Sequence, residues 1–164
     1  MPSEYRLILK YADQPGYTPD LECYLRHGGY EVLKKALALP AKELPDGKKQ
    51  TAQEQLRDDV MKSGLRGRGG AGFSCGLKWS FVPQDLSPRY LAVNGDEGEP
   101  GTFKDRELMI RDPHQLIEGI LIACYAVGIQ KAYIYIRGEF DAPWRAGERA
   151  LGEAYARGYL GPDI

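Results

Sequence analysis

The chain has no C-x-x-C pair: its three cysteines, Cys23, Cys75 and Cys124, are scattered along 164 residues. That scatter excludes a zinc knuckle and the cysteine runs that hold iron–sulfur clusters, and an odd, sparse set points to a reducing compartment. No charge of one sign dominates. With 22 basic against 23 acidic residues the net charge is -1, so bulk attraction to nucleic acid or to an anionic membrane is not this chain's work. Long apolar runs are also missing. The longest, residues 116–129, contains Glu118 and is too short to span a bilayer. The opening Met-Pro-Ser-Glu-Tyr-Arg lacks the apolar core of a secretory signal, so a soluble chain on the cytoplasmic side is expected, with no direct membrane insertion. Neither an internal repeat nor a low-complexity tract is present.

With 43% apolar and 27% charged residues, the chain reads as an ordinary globular protein of one domain, or one domain and an appendage. Glycine is in excess, at 20 residues against a usual share of roughly 7%. Its placement organises the reading. Residues 5–11 (YRLILKY) alternate at period two and predict a short strand. Thr18-Pro19-Asp20 predicts a helix start, Gly28-Gly29 its stop, and residues 30–39 a second helix. Residues 40–49 read as a polar linker. Thr51-Ala-Gln-Glu54 fits a capping box for a helix that runs to Gly64. After a glycine-dense loop, residues 90–94 (YLAVN) predict a buried strand, 113–127 an apolar helix ended by Gly128, 131–137 (KAYIYIR) a second strand, and 142–157 an amphipathic helix. Strand, helix and strand make a parallel β-α-β unit. The expected fold is α/β: a Rossmann-like core in residues 64–164 behind a mostly helical lead-in of residues 1–63.

Two constellations could carry chemistry. Gly67-Arg68-Gly69-Gly70-Ala71-Gly72 satisfies G-x-G-x-x-G, and clustered glycines let backbone N–H groups approach phosphates. Lys62, Arg66, Arg68 and Lys78 make the surrounding segment basic, with no acid between 62 and 78. An ordinary dinucleotide fingerprint needs a strand just before the first glycine, and here a helix precedes it. A flexible surface loop and an RGG-type RNA-binding segment are the competing readings; the chain's neutral charge disfavours the second, and no nucleic-acid partner is expected. Phe73, Trp79 and Phe81 lie beside the loop, suited either to stacking on a planar ring or to packing it down on the core. The second constellation, Asn94-Gly-Asp96-Glu97-Gly-Glu99-Pro-Gly101, follows the first strand, where α/β sheets bind ligands. Three carboxylates in four residues repel one another unless partnered. Oxygen ligation of a metal, hydrogen bonding to a ligand's N–H and hydroxyl groups, and a solvated acidic turn all remain open for it.

Residues 63–81 (SGLRGRGGAGFSCGLKWSF) followed by 94–106 (NGDEGEPGTFKDR) closely resemble the FMN- and NADH-binding flavoprotein subunit of respiratory complex I, a module shared with NAD-reducing hydrogenases and formate dehydrogenases. The resemblance continues through 113–119, 133–139 and 156–161. It implies a Rossmann-like fold in which one glycine-rich loop serves flavin and nucleotide together, with the loop residues Arg68, Gly70 and Gly72 among its cofactor contacts. Matched residue by residue, Gly67, Gly69, Lys78, Asn94, Asp96 and Glu97 would contact FMN. Phe73 and Phe81 would sandwich the adenine of NADH, and Glu99 would take the catalytic position by the nicotinamide. The implied activity is that of an NADH dehydrogenase subunit: hydride transfer from NADH to FMN, then electron release to iron–sulfur centres on the way to quinone. The implied partners are the hydrophilic-arm subunits, above all the [2Fe–2S] subunit and the large iron–sulfur subunit, peripheral to the membrane. The chain is expected to be incomplete relative to the family: Ile164 precedes the second flavin segment, the ubiquitin-like domain and the cysteine-bearing bundle, so the [4Fe–4S] ligands are not in it. No resident metal site is expected. A non-catalytic structural or assembly module of the same fold is the alternative, as is the diaphorase subunit of a hydrogenase or formate dehydrogenase.

Overall fold

Asp20, rather than Thr18, caps the first helix of the computed structural model, which describes residues 6–161. The Asp20 carboxylate accepts from the Cys23 N–H at 2.7 Å, and α1 runs Leu21–Arg26. α2 spans Glu31–Leu37 and buries Leu33 and Ala36. The expected linker holds a small hairpin instead, with β1 (Lys42–Glu43) antiparallel to β2 (Lys49–Gln50). The capping box forms as read: Thr51 accepts from the Glu54 N–H, Glu54 from the Thr51 N–H, and α3 follows over Ala52–Lys62. Within the segment read as loop, Ser74 caps a short α4 (Cys75–Ser80). A Cβ at Gly76 would come 2.5 Å from the Met61 Cα, so only glycine lets α4 lie this close to α3.

The remaining elements are β3 (Tyr90–Gly95), α5 (Lys104–Arg111), α6 (Pro113–Val127), β4 (Lys131–Ile136) and α7 (Asp141–Ala156). β3 pairs with β4 in a parallel sheet, the β-α-β unit expected. β3 is not the buried strand predicted. Burial alternates along both strands, because a two-stranded sheet here presents alternate residues to solvent rather than covering both faces. Gly95 is the exception. A Cβ there would sit 2.8 Å from the Tyr135 carbonyl oxygen.

The predicted strand at 5–11 is not formed. Tyr5 lies outside the described residues, and residues 7–11 are bends and turns with Leu7 and Ile8 exposed. Alternation makes a strand only where a neighbour takes its backbone groups. Here the chain bonds to itself, Ala12 N–H to the Leu9 carbonyl at 3.2 Å, while Arg6 pairs with Asp13.

Two interleaved units divide the chain. One gathers the described parts of Met1–Tyr30 and Ile134–Ile164 with Ala92–Gly119; the other is Glu31–Leu91 with Ile120–Tyr133. In the first, Ala146, Ala150 and Ala154 form the buried stripe of α7. Beside them runs a polar network. His114, 1% exposed, meets the Tyr30 hydroxyl at 3.0 Å and Glu153 at 2.9 Å, while Glu118 accepts from the Tyr24 hydroxyl and the Tyr30 N–H. These bonds satisfy groups whose burial would otherwise be costly. In the second unit, Arg57 donates to the Ala126 carbonyl at 2.6 Å, meeting one of the free carbonyls at the end of α6.

Candidate functional site

The glycine-rich loop belongs to the second unit. Its base is an antiparallel bridge between Arg66 and Ser74, in which the Gly67 N–H donates to the Phe73 carbonyl (2.9 Å) and the Cys75 N–H to the Leu65 carbonyl (2.8 Å). Arg66 reaches across and donates to the Gly72 carbonyl at 3.0 Å. Between these ties, the N–H groups of residues 68–73 donate no hydrogen bond among the described residues. Gly70 (φ +145) and Gly72 (φ +64) occupy conformations that side chains disfavour. A Cβ at Gly69, Gly70 or Gly72 would meet nothing within 4 Å, so the space around the loop is open. Arg68 and Lys78 are exposed beside it. Unused N–H donors, no obstructing side chains and two exposed cations are what an anionic phosphate requires.

Phe73 and Phe81 are 49% and 64% exposed, and their ring centroids lie 6.1 Å apart at 49°. In this arrangement they touch each other as a tilted aromatic pair. A planar guest between them would need parallel rings about 7 Å apart, twice the carbon contact distance. A rotation and a separation of about 1 Å would achieve that. Trp79 is half-buried. Burial pushes the Cys75 thiol up, which keeps it protonated and unreactive.

The acidic turn belongs to the first unit, at the carboxyl end of β3. Asn94 and Asp96 are exposed, and the Asn94 side-chain oxygen accepts from the Asp96 N–H at 2.8 Å. Glu99 is exposed too. Glu97 is not: at 6% exposure its carboxylate accepts from the N–H groups of Asp105 (2.8 Å) and Arg106 (3.2 Å). It caps α5, whose own N-cap residue, Phe103, makes no side-chain bond. The residues expected to act together therefore differ in kind, with Asn94, Asp96 and Glu99 turned to solvent and Glu97 engaged by the fold. Sequence reasoning passed over Arg137. Arg137 follows β4 and donates to the Glu97 backbone carbonyl at 3.4 Å. A signal existed: an arginine just past the carboxyl end of the neighbouring strand stands where ligands of such sheets bind. Among the described residues no His, Cys, Asp and Glu side chains cluster to hold a metal ion, and no helix is long and apolar enough to cross a membrane.

A parallel β-α-β unit, a glycine loop with open N–H groups and an acidic turn at a strand's carboxyl end define a Rossmann-like α/β protein. More narrowly, the chain belongs to the Nuo51 FMN-binding domain family, whose model matches residues 60–164. Among curated relatives it is 50% identical over 160 residues to an NADH-quinone oxidoreductase subunit of Rhizobium meliloti, covering 96% of this chain and 35% of that protein. To the corresponding NADH-quinone oxidoreductase subunit of Aquifex aeolicus it is 48% identical over 158 residues, covering 96% and 34%. Among solved structures, a chain of NAD+-reducing [NiFe]-hydrogenase in the H2-reduced state matches with a TM-score of 0.58 and 39% identity, over 65% of this chain and 19% of that one. The chain thus spans about a third of the length of the curated relatives named.

Proposed function

We propose that the chain is part of an NADH dehydrogenase flavoprotein subunit, in which residues 64–164 begin the domain that binds FMN and NADH. The observation that carries this is the glycine loop: its N–H groups at 68–73 are unused and its surroundings open, in a chain of the FMN-binding family. The residues present fit the groups proposed. Gly67, Arg68, Gly69, Gly70 and Gly72 would hold phosphate through backbone donors, with Lys78 adding charge. Phe73 and Phe81 would stack on the adenine. Asn94 and Asp96 would hydrogen-bond flavin N–H and hydroxyl groups, and Glu97 would fix the shape of the turn that presents them. Glu99, exposed on that turn, would orient the nicotinamide or a water beside it. FMN, when bound, supplies the hydride acceptor and the means of passing electrons on singly.

The assembly is proposed to be the peripheral arm of a quinone-reducing complex, where the [2Fe–2S] and large iron–sulfur subunits would receive the electrons. Cysteines for a [4Fe–4S] centre would come from beyond these residues, since this sequence has no cysteine cluster. The likeness to NAD+-reducing hydrogenase supports a second reading, the diaphorase part of a hydrogenase. Purification of the chain with whatever it assembles with decides both questions. Stoichiometric FMN on acid extraction, bleached by NADH, is the expected result, and the co-purifying metal centres separate the two assemblies. An assembly without flavin would overturn the proposal in favour of a non-catalytic module.

A further inference from the structure

We propose that Arg137 is a positioning residue for the turn at 94–101, a role that rests on reading this turn as the flavin-side contact. β4 ends at Ile136, so the Arg137 guanidinium starts from the carboxyl end of the strand next to β3. Its Nε and Nη2 donate to the two carboxylate oxygens of Glu139, at 3.0 and 3.4 Å. Nη1 is left to donate to the Glu97 carbonyl at 3.4 Å, and a Cβ on Gly98 would lie 3.8 Å from the same nitrogen. The guanidinium therefore lies along the Glu97–Gly98 peptide. The Glu97 side chain, meanwhile, is anchored at the start of α5. The turn is pinned from two directions, by side chain into α5 and by carbonyl to Arg137.

Charge gives the pin a second effect. Asp96, Glu97 and Glu99 crowd the turn, and Arg137 sets a positive charge beside it: Glu139 and the charge of Asp96 hold its proton more firmly than usual. Lysine cannot do the same work. A fork can grip Glu139 along one edge and still aim a separate N–H at the carbonyl, whereas an ammonium is a single point of charge. The competing view is an ordinary surface ion pair between Arg137 and Glu139, at side-chain exposures of 37% and 70%, which by itself would do little.

Hydrogen exchange on the chain as it stands separates these views, because the Asp96, Asp105 and Arg106 N–H groups are bonded within the turn and its anchor. In Arg137→Ala these amides should exchange about five-fold faster, the equivalent of one ordinary hydrogen bond. The amides of α7 and the melting temperature should stay unchanged. Arg137→Lys and Glu139→Gln should fall between. Unchanged exchange at 96–106 in Arg137→Ala, or faster exchange spread evenly over the chain, would overturn the proposal. A parallel FMN titration by fluorescence quenching on the purified assembly tests the reading beneath it. Wild type that takes up no FMN sinks that reading while the exchange result still decides Arg137; wild type that binds should lose affinity severalfold on Arg137→Ala.

Discussion

Replacing Glu97 with glutamine asks whether a residue placed in the cofactor site by sequence is first of all a part of the fold. Its carboxylate receives two backbone N–H groups at the start of α5, and that helix has no other side-chain cap. Glutamine keeps one carbonyl oxygen, enough for the Asp105 N–H. Its amide nitrogen would then face the Arg106 N–H, donor against donor. The loss is one charge-assisted bond, worth roughly 1.5–3 kcal/mol. The removal of a negative charge from a helix N-terminus adds about 0.3–1 kcal/mol. A net destabilisation of about 2–4 kcal/mol follows, which in a chain of this size lowers Tm by roughly 4–16 °C. Thermal unfolding followed by circular dichroism measures it directly. A Glu97→Gln protein that melts within about 1 °C of wild type, a shift too small for one lost bond, would show that α5 does not depend on this carboxylate.

Phe73→Ala in the flavin-loaded assembly should weaken NADH binding by roughly 1–3 kcal/mol while flavin content stays normal, as read by NADH titration; an unchanged affinity would remove the stacking role. Asp112 offers a pH test. Burial raises its carboxyl above the ordinary carboxylate range, although Gln115, Tyr17 and His114 pull the other way. A raised pKa means that the folded state favours the proton, so this group's contribution is complete at low pH and lost as pH climbs through the folded value. Asp112→Asn, which never ionises, should therefore gain Tm relative to wild type as pH rises above the ordinary carboxylate range; a difference that stays constant over that rise would contradict the burial argument.

Local signals were legible wherever both partners of an interaction lie within a few residues. The Thr51–Glu54 box is complete in four residues, and its helix appears where expected. The same holds for the end of α6 at Gly128 and for the β-α-β order, which follows from runs of apolar residues separated by turn signals. α5 was invisible for the opposite reason. Its charged sequence has no cap at Phe103, because the cap comes from Glu97 after a turn has folded back. Strand 5–11 failed similarly: its alternation was real, but no neighbour in the described residues completes it. In the site, the glycine loop could be read because its chemistry is in its own backbone. Glu97 could not, since an acidic run gives no sign of which carboxylate turns inward, and Arg137 acts on a turn about forty residues earlier in the chain.

That division of labour bears on what these 164 residues do alone. Ligand sites for molecules of this kind bury roughly 70–90% of the ligand's surface. Here the loop's N–H groups, both phenylalanines and the Asn94, Asp96 and Glu99 side chains all face solvent. Contacts of this sort anchor a ligand but leave water on its other face, so each hydrogen bond competes with solvent and the ordering cost of binding is poorly offset. The curated relatives carry about twice as much further chain as this one supplies. We expect the isolated 1–164 protein to be colourless and to show no NADH oxidation with ferricyanide as acceptor. Both properties should appear when the chain is joined to the further length that its relatives have. A yellow, stoichiometrically flavinylated and active 1–164 protein would refute this. It would mean that an open glycine loop and a braced acidic turn already hold the flavin without a second wall.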